Sequence, residues 1–248
     1  MALALPAVAA GAAGLGLLAA GWMYASSSPT SQIFGRTLVA GDDPHEVALT
    51  FDDGPNDVAT PRLLELLARH KVRATFFSIG NFARLQPALV REIVAAGHLL
   101  CNHTMTHPRL STALARRVRQ ELGDCSALLE DIAGVPMRYF RPPFGSRRPV
   151  VLRLARELGL TPVMWNVTGF DWEPIGAGGI LRNLERGLAR NRRRRKASNL
   201  LLHDGGHSAM GMPRLDTVRA VEQFLAAHPP GATRYVTVDA WSVAFGNA

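Results

Sequence analysis

Thr50-Phe51-Asp52-Asp53-Gly54-Pro55 is the stretch whose residue types point most directly to chemistry. Its two adjacent carboxylates follow Val47-Ala48-Leu49, an apolar run that reads as a buried strand, and Gly54-Pro55 stops that strand. In α/β proteins the chemistry gathers at the carboxyl ends of strands. Adjacent strand residues point to opposite faces, so a turn beginning at Gly54 is expected to bring both aspartates to one cavity. One can then bind a cation while the other moves a proton. An isolated Asp-Asp-Gly is more often a turn cap, and the remaining polar clusters decide between these readings.

Each of those clusters also falls just after an apolar segment. His103-Thr104-Met105-Thr106-His107 holds two imidazoles four residues apart, which on a helical turn share one side. With an aspartate from another strand end they make an N/O donor set that zinc accepts, leaving one position open for water. In Arg141-Pro142-Pro143-Phe144-Gly145 the prolines carry no N–H, so the first free backbone donors after Arg141 are Phe144 and Gly145. A stiff loop with a free donor suits an oxyanion, and Arg141 offers a fork for a carboxylate. Trp165 to Trp172 contains Asp171-Trp172. Leu200-Leu201-Leu202-His203-Asp204 closes another apolar strand, with Leu201 and His203 on one face. A strand-end histidine with an aspartate available to orient it fits general acid work. His45, His70, His98, His207 and His228 lack such a setting and are expected to be structural or exposed, with His207 close enough to His203 to be watched.

The elements that must position these groups alternate. Strands are expected at 47–49 and onward, 74–79, 98–101, 139–141, 162–167, 199–203 and 235–238. The helices between them start at Thr60-Pro61, carry Leu89, Ile93 and Val94 up to Gly97, run from a Ser111 cap through Leu114, Val118, Leu122, Cys125, Leu129 and Ile132, and continue as Val151 to Leu158, Ile180 to Arg190 and Leu215 to Phe224. Seven or so β-α units imply an α/β fold with a parallel sheet, open or closed into a barrel, in a single catalytic domain. No internal repeat and no second domain are visible.

Composition supports one sizeable core: 248 residues, 47% hydrophobic. Charged residues at 19% and aromatics at 7% argue against disorder and against a base-stacking surface, and nothing resembles a DNA- or RNA-reading module. Net charge is +8, much of it between Arg190 and Lys196, which reads as a solvated helix end that could also favour anionic neighbours. Cys101 and Cys125 are expected to be buried free thiols rather than a bridge. Residues 2–25 carry no charge, are long enough to span a bilayer and lack the positive opening of a secretory signal, so an uncleaved membrane anchor is favoured over a cleaved signal. Residues 26–44 then read as a linker and lead-in, and 45–248 as the catalytic domain.

Taken together, the five motifs resemble, in order, those of the polysaccharide deacetylases with a NodB-homology domain, carbohydrate esterase family 4. The resemblance runs from about Val47 to Val238 and rests on Thr50 to Pro55, His103 to His107, Arg141 to Gly145, Asp171-Trp172 and Leu201-Leu202-His203. It implies a distorted (β/α)7-8 barrel and metal-dependent removal of acetyl groups from amino sugars of a cell-envelope or related polysaccharide, peptidoglycan-like or chitin-like, outside the cytoplasm. Asp53, His103 and His107 look like ligands of a divalent metal, most readily zinc, with cobalt or nickel admissible. Asp52 looks like the base acting on a metal-bound water, and His203 like the acid that protonates the leaving amine. Arg141 is expected to orient Asp52, and Asp171 to orient His203. The Phe144 N–H is expected to help hold the oxyanion, and Trp172 and Leu201 to wall the acetyl methyl. The chain departs from the family pattern where Phe144 replaces a frequent Tyr, Thr168 a frequent acidic residue and Cys101 a common Gly. Two other readings stand beside this one: a deacylase of another acyl sugar, such as a lipid-linked formyl amino sugar or an O-acetyl ester, and an inactive glycan-binding domain.

Overall fold

The computed structural model describes residues 20–242. Seven parallel strands form one curled sheet, a half-barrel, with helices on its outside. They are β1 (Glu46–Gly54), β2 (Thr75–Ser78), β3 (Leu99–Asn102), β4 (Tyr139–Phe140), β5 (Thr161–Pro162), β6 (Val167–Thr168) and β7 (Ser198–His203), in the order β5-β4-β3-β2-β1-β7-β6. A short β8 (Arg234–Tyr235) pairs with the start of β1. The helices are α1 (Ala59–His70), α2 (Gly80–Leu85), α3 (Pro87–Ala95), α4 (Ala115–Ala133), α5 (Pro149–Glu157), α6 (Gly176–Arg193) and α7 (Leu215–Ala227).

The two-residue period of the strands assigns each side chain to a layer. Val47, Leu49 and Phe51 of β1, Phe76 of β2, Leu100 of β3, Phe140 of β4 and Leu200 and Leu202 of β7 are buried in the main core between sheet and helices. Their alternates face the hollow of the curl. At its amino end Ala48, Phe77, Cys101 and Tyr139 pack with Leu38, Val163, Val238 and Trp241 and plug it. At its carboxyl end the same faces present Asp52, His103, Arg141 and His203. The parity that buries one face in oil thus brings the polar groups together on the other.

Several boundaries differ from the periodicity for identifiable reasons. The predicted strand 162–167 is two pieces. Val163 and Met164 are engaged by Leu38, through Met164 N–H to Leu38 O at 2.8 Å and a parallel bridge, whereas Val167 pairs with Leu200. The segment around Leu38 thereby bridges from β5 toward β7, where Ala197 N–H reaches Gly41 O at 3.0 Å. Ser111 does not cap α4; its hydroxyl is tied to Ser146 at 2.6 Å, and the helix begins at Ala115. Asn56 starts α1 instead of Thr60, accepting the N–H groups of Val58 and Ala59 at 2.8 and 2.9 Å. Beyond β8, residues 238–241 form a 3-10 turn rather than strand.

Cys101 and Cys125 are free and buried, as expected. Burial pushes the Cys125 thiol up to about 12, so it behaves as a small apolar group. The basic run ends α6 in solvent, with Lys196 paired to Asp42. Residues 20–27 are helical. The polar stretch after them is fastened by Arg147, 1% exposed, whose guanidinium donates to Ser28 O at 2.6 Å, Ser31 O at 2.9 Å and Gly145 O at 3.0 Å. Most of the predicted membrane anchor lies outside the described residues, and among those no helix is long and apolar enough to cross a membrane.

Candidate active site

A cavity of about 520 Å³ opens at the carboxyl rim, lined among others by Asp52, Asp53, His103, His107, Phe144, Trp172, Leu201 and His203. Both aspartates of β1 reach it, but not through a turn at Gly54. The pairing of β1 with β2 shifts register between Asp52 and Gly54, and Asp53 sits at φ +70°. A bulge in the left-handed region turns Asp53 to the face that Asp52 already occupies.

His103 and His107 stand on a loop after β3, not on a helical turn. Asn102 Oδ1 accepts the Thr104 N–H at 2.7 Å and Thr104 Oγ1 accepts the His107 N–H at 3.0 Å, with Thr104 and His107 at φ +69° and +59°. The buried Glu121 of α4 holds this loop from outside, accepting the Thr106 N–H at 2.8 Å and hydroxyl at 2.6 Å. The folded loop still gathers the imidazoles, with ring centroids 4.9 Å apart.

His103 Nδ1 lies 2.8 Å from the Arg141 carbonyl oxygen. A carbonyl only accepts, so Nδ1 carries a proton and the ring presents Nε2 to the cavity. That nitrogen is 3.3 Å from Asp53 Oδ1, and His107 Nε2 is 3.1 Å from the same oxygen. The directions are poor: Asp53 Oδ1 is buried with no hydrogen-bond partner among the described residues. Three N/O donors converge without bonding one another, which is what a divalent cation between them requires. The residues fit zinc, and equally cobalt or nickel. Burial works to raise the Asp53 pKa, but the imidazoles around it hold the carboxyl well below its usual range. Burial pulls the His107 imidazole down, toward the neutral form a ligand needs.

Asp52 faces Arg141, with Nη1 2.7 Å from Oδ1. The guanidinium is wholly buried, lies over Phe77 at 4.1 Å and also donates to Thr50 Oγ1 at 2.8 Å, Met164 O at 3.3 Å and Asn199 Oδ1 at 3.3 Å. Burial drags its pKa down and the Asp52 carboxylate pushes it back up. Across the cavity, Asp171 accepts the ring Nδ1–H of His203 at 2.8 Å and its backbone N–H at 2.7 Å, and is steadied by Thr217 Oγ1 at 2.8 Å. Asp171, not Asp204, orients His203. Asp204 turns under β1 to Thr60 Oγ1 at 2.5 Å. Burial by itself would lower the His203 pKa, but the Asp171 carboxylate and the charges of Asp53 and Asp52 outweigh it and raise the imidazole to about 9.

In the stiff loop Gly145 N–H is engaged by Pro142 O at 2.9 Å, which leaves Phe144, at φ +56°, as its candidate donor. The Phe144 ring meets His107 edge-on at 4.7 Å and carries Arg109 over its face at 4.4 Å. Trp172 stands perpendicular to His203 at 5.4 Å, and Leu201 is buried with Met164 and Trp165 at the cavity floor. Sequence reasoning left out Arg109, Arg214 and Trp165 of the lining, and placed His207 outside the site. His207 in fact lines the cavity, its ring 4.6 Å from that of His107. Its position four residues after His203 was the one available signal.

The chain shares with solved structures a curled parallel sheet with its polar groups gathered at the carboxyl rim. It matches the crystal structure of a peptidoglycan N-acetylglucosamine deacetylase with a TM-score of 0.72 and 30% identity, over 82% of this chain and 91% of that one. It matches a family 4 acetyl xylan esterase from Clostridium thermocellum, in complex with a cobalt ion, with a TM-score of 0.69 and 27% identity, over 81% and 92%. A chitooligosaccharide deacetylase of Sinorhizobium fredii is 41% identical over 167 residues, 67% of this chain and 75% of the relative. The polysaccharide deacetylase family profile matches residues 40–163. The chain belongs to the polysaccharide deacetylase family.

Proposed function

We propose that this enzyme removes N-acetyl groups from amino-sugar residues of a peptidoglycan-like or chitin-like glycan, and that it needs a divalent cation, zinc foremost, held by Asp53, His103 and His107. The observation that carries this reading is the Asp53 carboxylate: its buried oxygen has two imidazole nitrogens at 3.1 and 3.3 Å and no hydrogen bond among the described residues. When bound there, the cation would acidify a water and polarise the acyl oxygen.

The chain's own residues then divide the work. Asp52, fixed at 2.7 Å by Arg141, takes the proton from the attacking water as its oxygen adds to the carbonyl carbon. The Phe144 N–H supports the oxygen that gains charge. Trp172 and Leu201 wall the methyl. As the C–N bond breaks, His203 gives its proton to the departing nitrogen, and acetate and a free amine result. An amide needs this acid because an unprotonated amide nitrogen leaves poorly. The His203–Asp171 pair therefore favours an N-acyl substrate over an O-acetyl ester. The presence of both a base and an acid also favours an enzyme over a mere glycan binder. The uncharged residues 2–25 support a site of action outside the cytoplasm, at a membrane.

Acetate and formate release should be measured with zinc present on chitin oligomers, peptidoglycan, acetylxylan and a lipid-linked formyl amino sugar. Acetate from one of the first two is expected. Release only from acetylxylan, or formate alone, would move the function to the corresponding acyl group. No release from any, with zinc bound, would leave the binding domain.

A further inference from the structure

His207 is the histidine that this mechanism leaves without a task. It arrives in the cavity by a turn that only small residues permit. A Cβ on Gly205 would fall 2.1 Å from the Asp53 carbonyl oxygen, and one on Gly206 2.5 Å from Met212 Sδ. The loop after β7 can therefore fold back directly over the bulge of β1. There the His207 N–H lies 3.2 Å from Asp53 Oδ2 and its ring Nδ1 3.6 Å from the same oxygen. The ring is nearly parallel to His107, at 19°, and edge-on to Phe144 at 5.2 Å.

One donor atom each from Asp53, His107 and His207 lie within 4.8 Å of one another. Donors about 2.0–2.2 Å from a single ion can stand no more than about 4.4 Å apart, so the exposed ring completes the set by tilting out of its stack on His107. Asp53 Oδ1, a buried atom of the same group, has no hydrogen-bond partner among the described residues. The backbone contact also divides the labour of Asp53: His207 N–H engages Oδ2 and leaves Oδ1 to the ion.

We infer that His207 is a fourth protein donor to the cation, so that the site is Asp53, His103, His107 and His207 rather than a three-donor site. This rests on the metal-dependent reading above. The four differ in mobility. Asp53 and the other two histidine side chains are 5% exposed or less, whereas the His207 side chain is 44% exposed at the cavity mouth. Three donors thus fix the ion from within and His207 closes it from the solvent side. Zinc accepts a fifth ligand, so a water and the four donors are compatible.

The test uses the full chain, stripped of metal and titrated with zinc against a chromophoric chelator, for wild type, His207→Ala, His207→Gln, His107→Ala and the exposed control His45→Ala. X-ray absorption of the zinc-loaded wild type and His207→Ala proteins counts bound imidazoles. Three imidazoles in the wild type and two in His207→Ala are expected. So is a loss of zinc affinity of about 10–100-fold or more, the scale on which even support of a metal ligand is felt, with His45→Ala unchanged. Two imidazoles in the wild type together with unchanged affinity in both His207 variants would overturn the inference and leave the three-donor site standing. No zinc binding by the wild type would overturn the metal-dependent reading itself. The imidazole count of the wild type reports on His207 even if a variant folds poorly.

Discussion

The ring Nδ1–H and the backbone N–H of His203 both end on the one carboxylate of Asp171, at 2.8 and 2.7 Å. The strand end and the imidazole are thus set by a single anion, which also keeps the ring protonated to about pH 9. An acid must enter the reaction with its proton, so kcat should hold through neutral pH and fall as pH rises past about 9. Asp171→Asn removes the charge that raises the imidazole. Its alkaline limb should move down, and kcat at pH 8 should drop by roughly 10²–10⁴, the worth of a positioned acid. A pH–rate profile of the two proteins checks this; superimposable alkaline limbs would remove Asp171 from the role.

Arg141 makes a different prediction. Its one guanidinium serves Asp52, Thr50, Met164 O and Asn199 in a buried place. Arg141→Met leaves the Asp52 carboxylate buried and unpaired, so stability should fall by about 3–5 kcal/mol. Arg141→Lys keeps a charge without the fork and should recover part of that stability while kcat stays depressed. Urea denaturation and turnover on a chitin oligomer, measured on both variants, separate the two effects.

Asp204 offers a stability prediction independent of catalysis. Burial raises its carboxyl from 3.8 to about 7. An acid whose pKa rises on folding holds its proton more tightly in the folded chain. Its stabilisation is therefore complete below the unfolded value, about 3.8, and is lost as pH climbs toward 7. His98 acts with the opposite sign, since burial lowers it from 6.5 to about 4. The comparison that isolates Asp204 is Asp204→Asn, which keeps an acceptor for Thr60. The wild type should lose a few kcal/mol more than this variant between pH 5 and pH 8 in thermal or urea unfolding. Parallel pH dependences would refute it.

The sequence was most legible where one pattern ruled. Short continuous apolar runs located β1, β2, β3 and β7, and the parity of Leu201 and His203 followed at once. It was least legible where backbone geometry overrode spacing. The register shift at Asp53 and the left-handed residues at Thr104 and His107 are invisible in an Asp-Asp-Gly or a His-x-x-x-His. The split between β5 and β6 depends on Leu38, more than a hundred residues away in sequence. His207 was passed over because what brings it in, the close approach of Gly205 to the Asp53 carbonyl, is a tertiary contact. The five motifs come together in one cavity because each follows a strand of one parallel sheet, and parallel strands present their carboxyl ends at one rim.

The central claim is that Asp52 moves a proton while Asp53 and the histidines hold the ion. It is tested most directly by acetate release from the metal-loaded Asp52→Asn enzyme on the best wild-type substrate, with bound zinc measured on the same sample. The substitution keeps the shape of the side chain and removes the base. The account predicts a kcat lower by roughly 10²–10⁴ with zinc content equal to wild type. Near-wild-type turnover, or a loss of activity that merely tracks a loss of zinc, would contradict it.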